Sequence, residues 1–371
     1  MSDYQCRACR SEAGQVVLDL GDQPACDHFP QRDDPGPDPV YPLTMWLCAR
    51  CGLAQLLDDP TAPEEPRGTE PAALVAQAVD AVGRAGSAGL LLAGARVAEY
   101  GSPHGGSWLE LMASRGLKPV DGMAEADVIV DCFGMMHAPD QSAALAERAA
   151  RLMPGGVLLL QYHSLETIIR QGQWNALRHG HYAYYSTTAL SAMLAEIGFS
   201  PRSAWRFELY GGTILLAARR DGDDSGGPDE TIDAILTAEA AMGVRDPDVL
   251  RGLQQDVQAG AAAVHDWLAD SAAAGRTVLG YGAASRAVAL LCKAGVDVGL
   301  LPAVADASPA KQGLRMPGSA IPVISPAELT ARRPDEVALF VSDLMAEVRA
   351  SYPEIEAAGG RWVDADALGS V

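Results

Sequence analysis

RVAEYGSPHGG, residues 96–106, is the stretch on which the fold turns. A short strand candidate containing the acidic Glu99 runs directly into Gly101 and Gly105, which open a helix near Ser107. Glycines at such a turn let the backbone approach a ligand's ribose or carboxylate, and the helix N-terminus offers unpaired amides. A tight turn with no ligand would read the same, so the neighbouring sequence has to decide. From Ala72 to about Ala218, strand candidates at Arg96–Tyr100, 127–132 and 157–161 alternate with helical stretches. That alternation specifies a parallel sheet covered by helices, an α/β domain.

Further along, the acidic DGDDSGG (221–227) reads as an exposed linker, followed by helices across 231–274. A second α/β unit then follows, with strands expected at 277–282, 298–306 and 336–343. Its first strand ends in GYGAAS, where Gly280, Gly282 and Ala283 leave backbone amides at a strand-to-helix turn suited to a pyrophosphate. Lys311 and Arg286 are candidate cations for the same anion, although a solvated surface position accounts for either equally well.

Before the first α/β unit, residues 1 to about 58 are rich in Cys, Asp and Pro and show no helical period, and TAPEEPRGTEP (61–71) marks a boundary. Cys6-x-x-Cys9 and Cys48-x-x-Cys51 form two knuckles. Two residues between thiolates let both sulfurs reach one metal at about 2.3 Å, so the four make a closed tetrahedral zinc site. A closed site has no open coordination position, which makes the zinc structural. Cys26, Cys132 and Cys292 stand alone and read as core residues. The chain is therefore expected to contain a zinc-binding domain (1–60), a central Rossmann domain (61–220) and a C-terminal Rossmann-like domain (221–371).

Composition narrows the function. Lys+Arg 28 against Asp+Glu 48 gives a formal charge of −20 over 371 residues, a field that repels nucleic acid. No apolar run reaches the roughly 18 residues of a membrane helix, and the polar start MSDYQCRACR is unlike a signal segment, so a cytoplasmic protein is expected.

These motifs, in order, resemble the nucleotide-sugar C-methyltransferases that act on keto-deoxysugars in antibiotic biosynthesis. The resemblance runs through both knuckles with YPLTMWLCARCGLAQL (41–56), the glycine loop, ADVIVDCFGMMHAPD (126–140) and LMPGGVLLLQ (152–161). It continues through RHGHYAYYSTTAL (178–190), YGGTILLAA (210–218), GYGAASRAVALL (280–291) and DASPAKQGLRMPGSAIPV (306–323). It implies a zinc-bearing first domain, a central S-adenosylmethionine (SAM) domain using Gly101, Gly105 and Asp121, and a last domain that helps hold the nucleoside diphosphate, TDP by expectation. It also places His181 as the general base beside the sugar ketone, a role suited to imidazole. His179 and Tyr185 are its candidate partners, and Arg178 and Tyr184 candidate substrate contacts.

The sequence departs from the family in three places. Arg178 and Gly180 stand where the family has a tyrosine and a glutamate. PEEPRGTEP (63–71) replaces the aromatic segment that presents a tyrosine lid. After Val120-Asp121-Gly122, read as the second strand with its ribose-binding acid, the chain passes almost at once to the strand at 127–130, omitting the strand that normally walls the adenine. Losing that wall removes apolar burial worth about 25 cal/mol per Å². From sequence, these losses favour a sugar-nucleotide enzyme that has given up SAM and isomerises its substrate by acid and base alone, through epimerisation or pyranose–furanose interconversion. SAM-dependent C-methylation and a non-catalytic nucleotide-sugar-binding protein are the alternatives.

Overall fold

A computed structural model describes residues 4–61, 70–101, 106–121, 124–220 and 228–369. Gly105, most of the 61–71 boundary and the 221–227 linker fall outside the described residues.

Three sheets organise the chain. The first contains β1 (Gly14–Pro24), β2 (Val40–Cys48) and β3 (Ala54–Leu56), all antiparallel. The second contains β4 (Arg96–Tyr100), β5 (Lys118–Pro119), β6 (Ala126–Cys132) and β7 (Leu152–His163). Next in sequence is β8 (Ala183–Tyr184), which leaves the second sheet and pairs antiparallel with β3. The central chain thus supplies the fourth strand of the N-terminal sheet. β9 (Phe199–Phe207) and β10 (Thr213–Arg220) return to the second sheet, giving the order β5-β4-β6-β7-β10-β9.

The first four strands in that order are parallel, because helices cross between them, and β10 is antiparallel to both of its neighbours. β6, ADVIVDC, is apolar almost without interruption since both faces of a central parallel strand are covered. Separate apolar clusters fill the two faces, one around Ile129, Leu158 and Leu216, the other around Val128, Leu159 and Leu215.

The third sheet is parallel throughout: β11 (Val278–Tyr281), β12 (Val304–Ala305), β13 (Val323–Ile324), β14 (Glu336–Leu339) and β15 (Arg361–Asp364), in the order β13-β12-β11-β14-β15. It is reached through the helices Glu230–Met242 and Pro247–Ala273. The second of these starts cleanly because Asp246 accepts from the Asp248 amide and Pro247 has no amide to lose. Its buried positions, Leu250, Leu253, Val257, Ala261, Val264 and Leu268, follow steps of three and four, so one face enters a core. That core is shared with Leu18, Leu20 and Met45 of the N-terminal sheet, so the first and last parts of the chain pack as one body. Arg315 and Asp38 reinforce the union with two bonds of 2.7 Å, both side chains being under a tenth exposed.

Three expectations are corrected. The second central strand is Lys118–Pro119 and ends before Asp121, although the Val120 amide still bonds the Val97 carbonyl. The strand expected at 298–306 shrinks to Val304–Ala305, because Asp297 turns the chain by accepting from the Leu300 and Leu301 amides. The helix expected from Ser107 begins at Leu109. The shortening read from sequence is present: among the described residues no strand lies beyond β5 on that edge.

Candidate functional site

The four knuckle cysteines converge. Cys6 and Cys9 precede β1, Cys48 ends β2 and Cys51 lies in the turn after it, and their sulfurs all lie within 4.8 Å of one another. Cys6 Sγ is 3.5 Å from Cys51 Sγ, and Cys9 Sγ is 3.5 Å from Cys48 Sγ. A zinc tetrahedron with bonds of about 2.3 Å spaces sulfurs by about 3.8 Å, so the donor set fits zinc after a slight expansion. The crowding makes the thiols unequal: the bond with Cys51 pulls Cys6 down to about 5, and Cys51 is pushed up in return. None of the four lines the cleft between the second and third sheets.

That cleft, about 390 Å³, opens where the C-terminal edges of the second and third sheets face one another. It brings together residues about 150 to 200 positions apart in sequence: Gly106, Trp108, Cys132 and Phe133 from the central sheet, and Gly282, Ser285 and Lys311 from the last domain. Between them stand His137, His163 and His181.

Of the expected catalytic residues, only His181 faces this space. The segment Arg178–His181 is a turn, with Gly180 at φ +80 and its amide on Asp59 Oδ2 at 2.6 Å. The turn sends the two histidines apart. His179 is 3% exposed, its Nε2 bonds the Pro42 carbonyl at 3.1 Å, and burial lowers its basicity. Tyr185 is likewise turned into the central core, bonded to Gln141 and packed edge-on to Tyr162. Tyr184 does line the cleft, accepting from the Arg178 amide at 3.0 Å and donating to the Ala176 carbonyl.

His181 is surrounded by aromatic rings. The His137 ring meets it edge-on at 4.6 Å, and the His163 ring stacks at 6.3 Å. Arg178 donates to His181 Nε2 through Nε at 2.8 Å and also through Nη2. A guanidinium only donates, so that nitrogen is the acceptor and the ring proton sits on Nδ1. The same Arg178 reaches Ser285 at the start of the last domain's first helix and pairs with Asp27 at 3.7 Å. It thereby ties all three parts of the chain to one imidazole.

At the last domain the glycines have different tasks. Gly280 belongs to packing: a Cβ there would lie 2.8 Å from Val304 and 2.9 Å from Phe340, and its amide is spent on Ala303. Gly282, at φ +94, makes the turn itself, while its amide bonds the Ala305 carbonyl. Among the described residues, amides without a partner therefore open the helix Ser285–Lys293, where Ala284, Ser285 and Arg286 line the cleft. Ala283 is buried and presents its carbonyl to Lys311 Nζ at 2.9 Å. Lys311 is 8% exposed, so its charge is directed into the cleft and not outward as a surface lysine's would be. Arg286 also lines the cleft but donates to the Tyr210 carbonyl, and burial lowers its basicity against the pull of Asp366 and Asp343.

The side of the cleft where the resemblance places SAM is framed by Gly106 and Trp108 against Cys132 and Phe133. These flank the junction of β4 and β6, the switch point at which open α/β sheets take ligands. Glu99 shapes it by accepting from Ser107 Oγ at 2.6 Å and the Trp108 amide at 2.7 Å. Gly106 has φ +83, and a Cβ on it would lie 2.8 Å from the Glu70 carboxylate, so the turn has no room for a larger residue while Glu70 stays in place. Gly101 and Asp121 lie outside the cleft lining, both exposed, Asp121 following β5 about twenty residues after Gly101, where a ribose-binding acid belongs. The residues present fit SAM, with the adenine edge one strand narrower.

Sequence reasoning passed over His137, His163, Tyr210 and Asp306, all of which line the cleft. Cys132, expected in the core, is buried in it and also borders the cleft. Asp306 had a signal: an acid at the end of the strand following a glycine turn. His163 had none, since its role depends on which strand β7 lies beside.

Comparison with known proteins covers nearly the whole chain. A family model for a proposed zinc-binding domain matches residues 6–65, a methyltransferase-domain model residues 70–204, and a C-methyltransferase C-terminal-domain model residues 208–365. The C-methyltransferase NovU of Streptomyces niveus is 24% identical, covering 97% of this chain and 94% of that one. Among solved structures, the 1,6-didemethyltoxoflavin N1-methyltransferase of Burkholderia thailandensis is 18% identical over 45% of this chain and 95% of its own (TM-score 0.27). The N-methyltransferase NodS of Bradyrhizobium japonicum is 12% identical over 41% and 89% (TM-score 0.30). The methyltransferase-domain match runs straight through the shortened segment after Asp121, so the expectation that SAM has been lost gains no support. No helix among the described residues is long and apolar enough to cross a membrane.

Proposed function

Since the chain belongs to the C-methyltransferase family and carries its zinc-binding, methyltransferase and C-terminal domains in order, we propose that it methylates a carbon beside the ketone of a nucleoside-diphosphate-linked sugar, using SAM. The observation that carries this reading is the single cleft joining the β4–β6 switch point, the histidine cluster and the glycine turn of the last domain. A methyl donor and a sugar nucleotide bound at its two ends would meet at His181.

The roles follow from chemistry. The diphosphate takes Lys311 and the first amides of the helix Ser285–Lys293, a cation and a helix dipole in an otherwise acidic protein. Asp306, about two dozen residues after Gly282 and lining the cleft, takes a ribose hydroxyl. His181 removes the proton next to the ketone. To do so it needs Nε2, which Arg178 occupies; a bound diphosphate competes for the guanidinium next to Ser285 and so frees the base where substrate is present. SAM supplies an electrophilic methyl group to the carbon left electron-rich. Glu70, Pro71 and Leu74 close the cleft over that end and limit water.

The narrow adenine edge keeps the cofactor-free isomerase as a second reading. Mass spectrometry of a keto-sugar nucleotide incubated with and without SAM decides. A gain of one CH₂ unit that requires SAM supports methylation. Conversion at constant mass without SAM supports isomerisation, and no conversion of any nucleotide-sugar supports a binding protein.

A further inference from the structure

β7 is uniformly apolar through Leu158, Leu159 and Leu160, then carries Gln161. This side chain is 3% exposed and lines the cleft, and neither its amide nitrogen nor its amide oxygen has a hydrogen-bond partner among the described residues. A primary amide brings two N–H donors and one acceptor, and leaving a buried polar group unmade costs about 1–3 kcal/mol. The next leucine in the run would have avoided that cost. The complement of the amide is therefore a ligand group.

Its position says which ligand. In the order β4-β6-β7, Gln161 stands opposite Cys132 in register, one strand further from the Gly106 wall than β6. It shares a strand face with His163, two residues on, whose ring stacks on that of His181. The amide thus lies on the side of the cleft where the base is, away from the methyl donor's turn.

We propose that Gln161 holds the ketone oxygen of the sugar and stabilises the charge that develops there. The proposal rests on reading the site as one that enolises a keto-sugar. In that step the C–H bond beside the ketone breaks and its proton passes to the imidazole of His181. The released electron pair forms the carbon–carbon double bond, and the carbonyl π pair moves onto oxygen. The Gln161 N–H bond to that oxygen strengthens as the charge arrives, which is where a donor accelerates a reaction.

The test is exchange of the α-proton of a keto-sugar nucleotide for deuterium in D₂O, without SAM, which reads enolisation apart from methyl transfer. Gln161→Met keeps length and removes the donors; Gln161→Glu also adds a charge that opposes the enolate. Both should slow exchange by about 10²–10³-fold, the usual effect of one lost oxyanion donor, with calorimetric affinity for the bare nucleoside diphosphate unchanged. Because the amide has no partner among the described residues, Gln161→Met should keep or raise the melting temperature of the ligand-free protein. Wild-type exchange rates in Gln161→Met, a lowered melting temperature, or selective loss of SAM affinity would each overturn this role. No exchange in the wild type would overturn the reading of the site itself.

Discussion

The zinc site and the cleft are built in opposite ways. Each knuckle pair is separated by two residues, so covalent proximity brings the sulfurs together and only two strands are needed to join the pairs. The cleft collects its groups from three sheets, and the turn holding His181 is fixed by a strand that crosses from the second sheet to the first. The contrast teaches that the metal centre is not remote in effect. β8 pairs with β3, three residues beyond Cys51, and begins two residues after His181, so the metal sheet supports the turn that carries the proposed base.

Removing the metal should break this arrangement most severely. Structural zinc contributes on the order of 10–16 kcal/mol in small domains, so chelation, or Cys48→Ser, should unfold the N-terminal sheet. Metal analysis should return one zinc per chain, and circular dichroism and activity should fall together. Activity surviving in a zinc-free protein would separate the two regions again.

Within the cleft, His181→Asn should slow turnover by about 10²–10⁴-fold while leaving nucleotide affinity in place, as expected for loss of a general base. His179→Asn, whose ring faces Pro42, should affect stability and leave the chemistry largely alone. Equal kinetic losses in both would mean that the turn adopts another shape with substrate bound.

The bond between first and last domains comes next. Asp38→Asn leaves the buried Arg315 without its countercharge, a change costing about 3 kcal/mol in unfolding experiments. The Arg315 guanidinium holds the Asp38 carboxyl below its ordinary value. A lowered folded value means stability that is complete above about pH 4, the unfolded value, and lost as pH falls through the folded one. The variant's stability should therefore be flatter than the wild type's in acid. The smallest effect is expected at Lys311→Met, about tenfold in nucleoside-diphosphate affinity by calorimetry, with SAM affinity unaltered.

Much of the architecture was present in the pattern of residues. Apolar runs such as ADVIVDC, the Pro247 helix start behind Asp246 and the glycine turns specify their elements through local burial and capping. The extent of strands was less certain, as at Lys118–Pro119 and Val304–Ala305, because pairing partners and not propensity determine where a strand stops.

For the candidate site, the sequence by itself determined the zinc ligands and the glycine turn of the last domain, since each depends on spacing within a few residues, while His181 as a candidate base came from the resemblance to the sugar C-methyltransferases. Only the tertiary structure separated His179 from His181, turned Tyr185 inward and assigned Gly280 to packing. It also set His137, His163 and Gln161 around the same space. The reason is physical: a side chain's direction follows from its backbone turn, but what it meets depends on strand order, and the order β5-β4-β6-β7-β10-β9 forms only when distant segments pair.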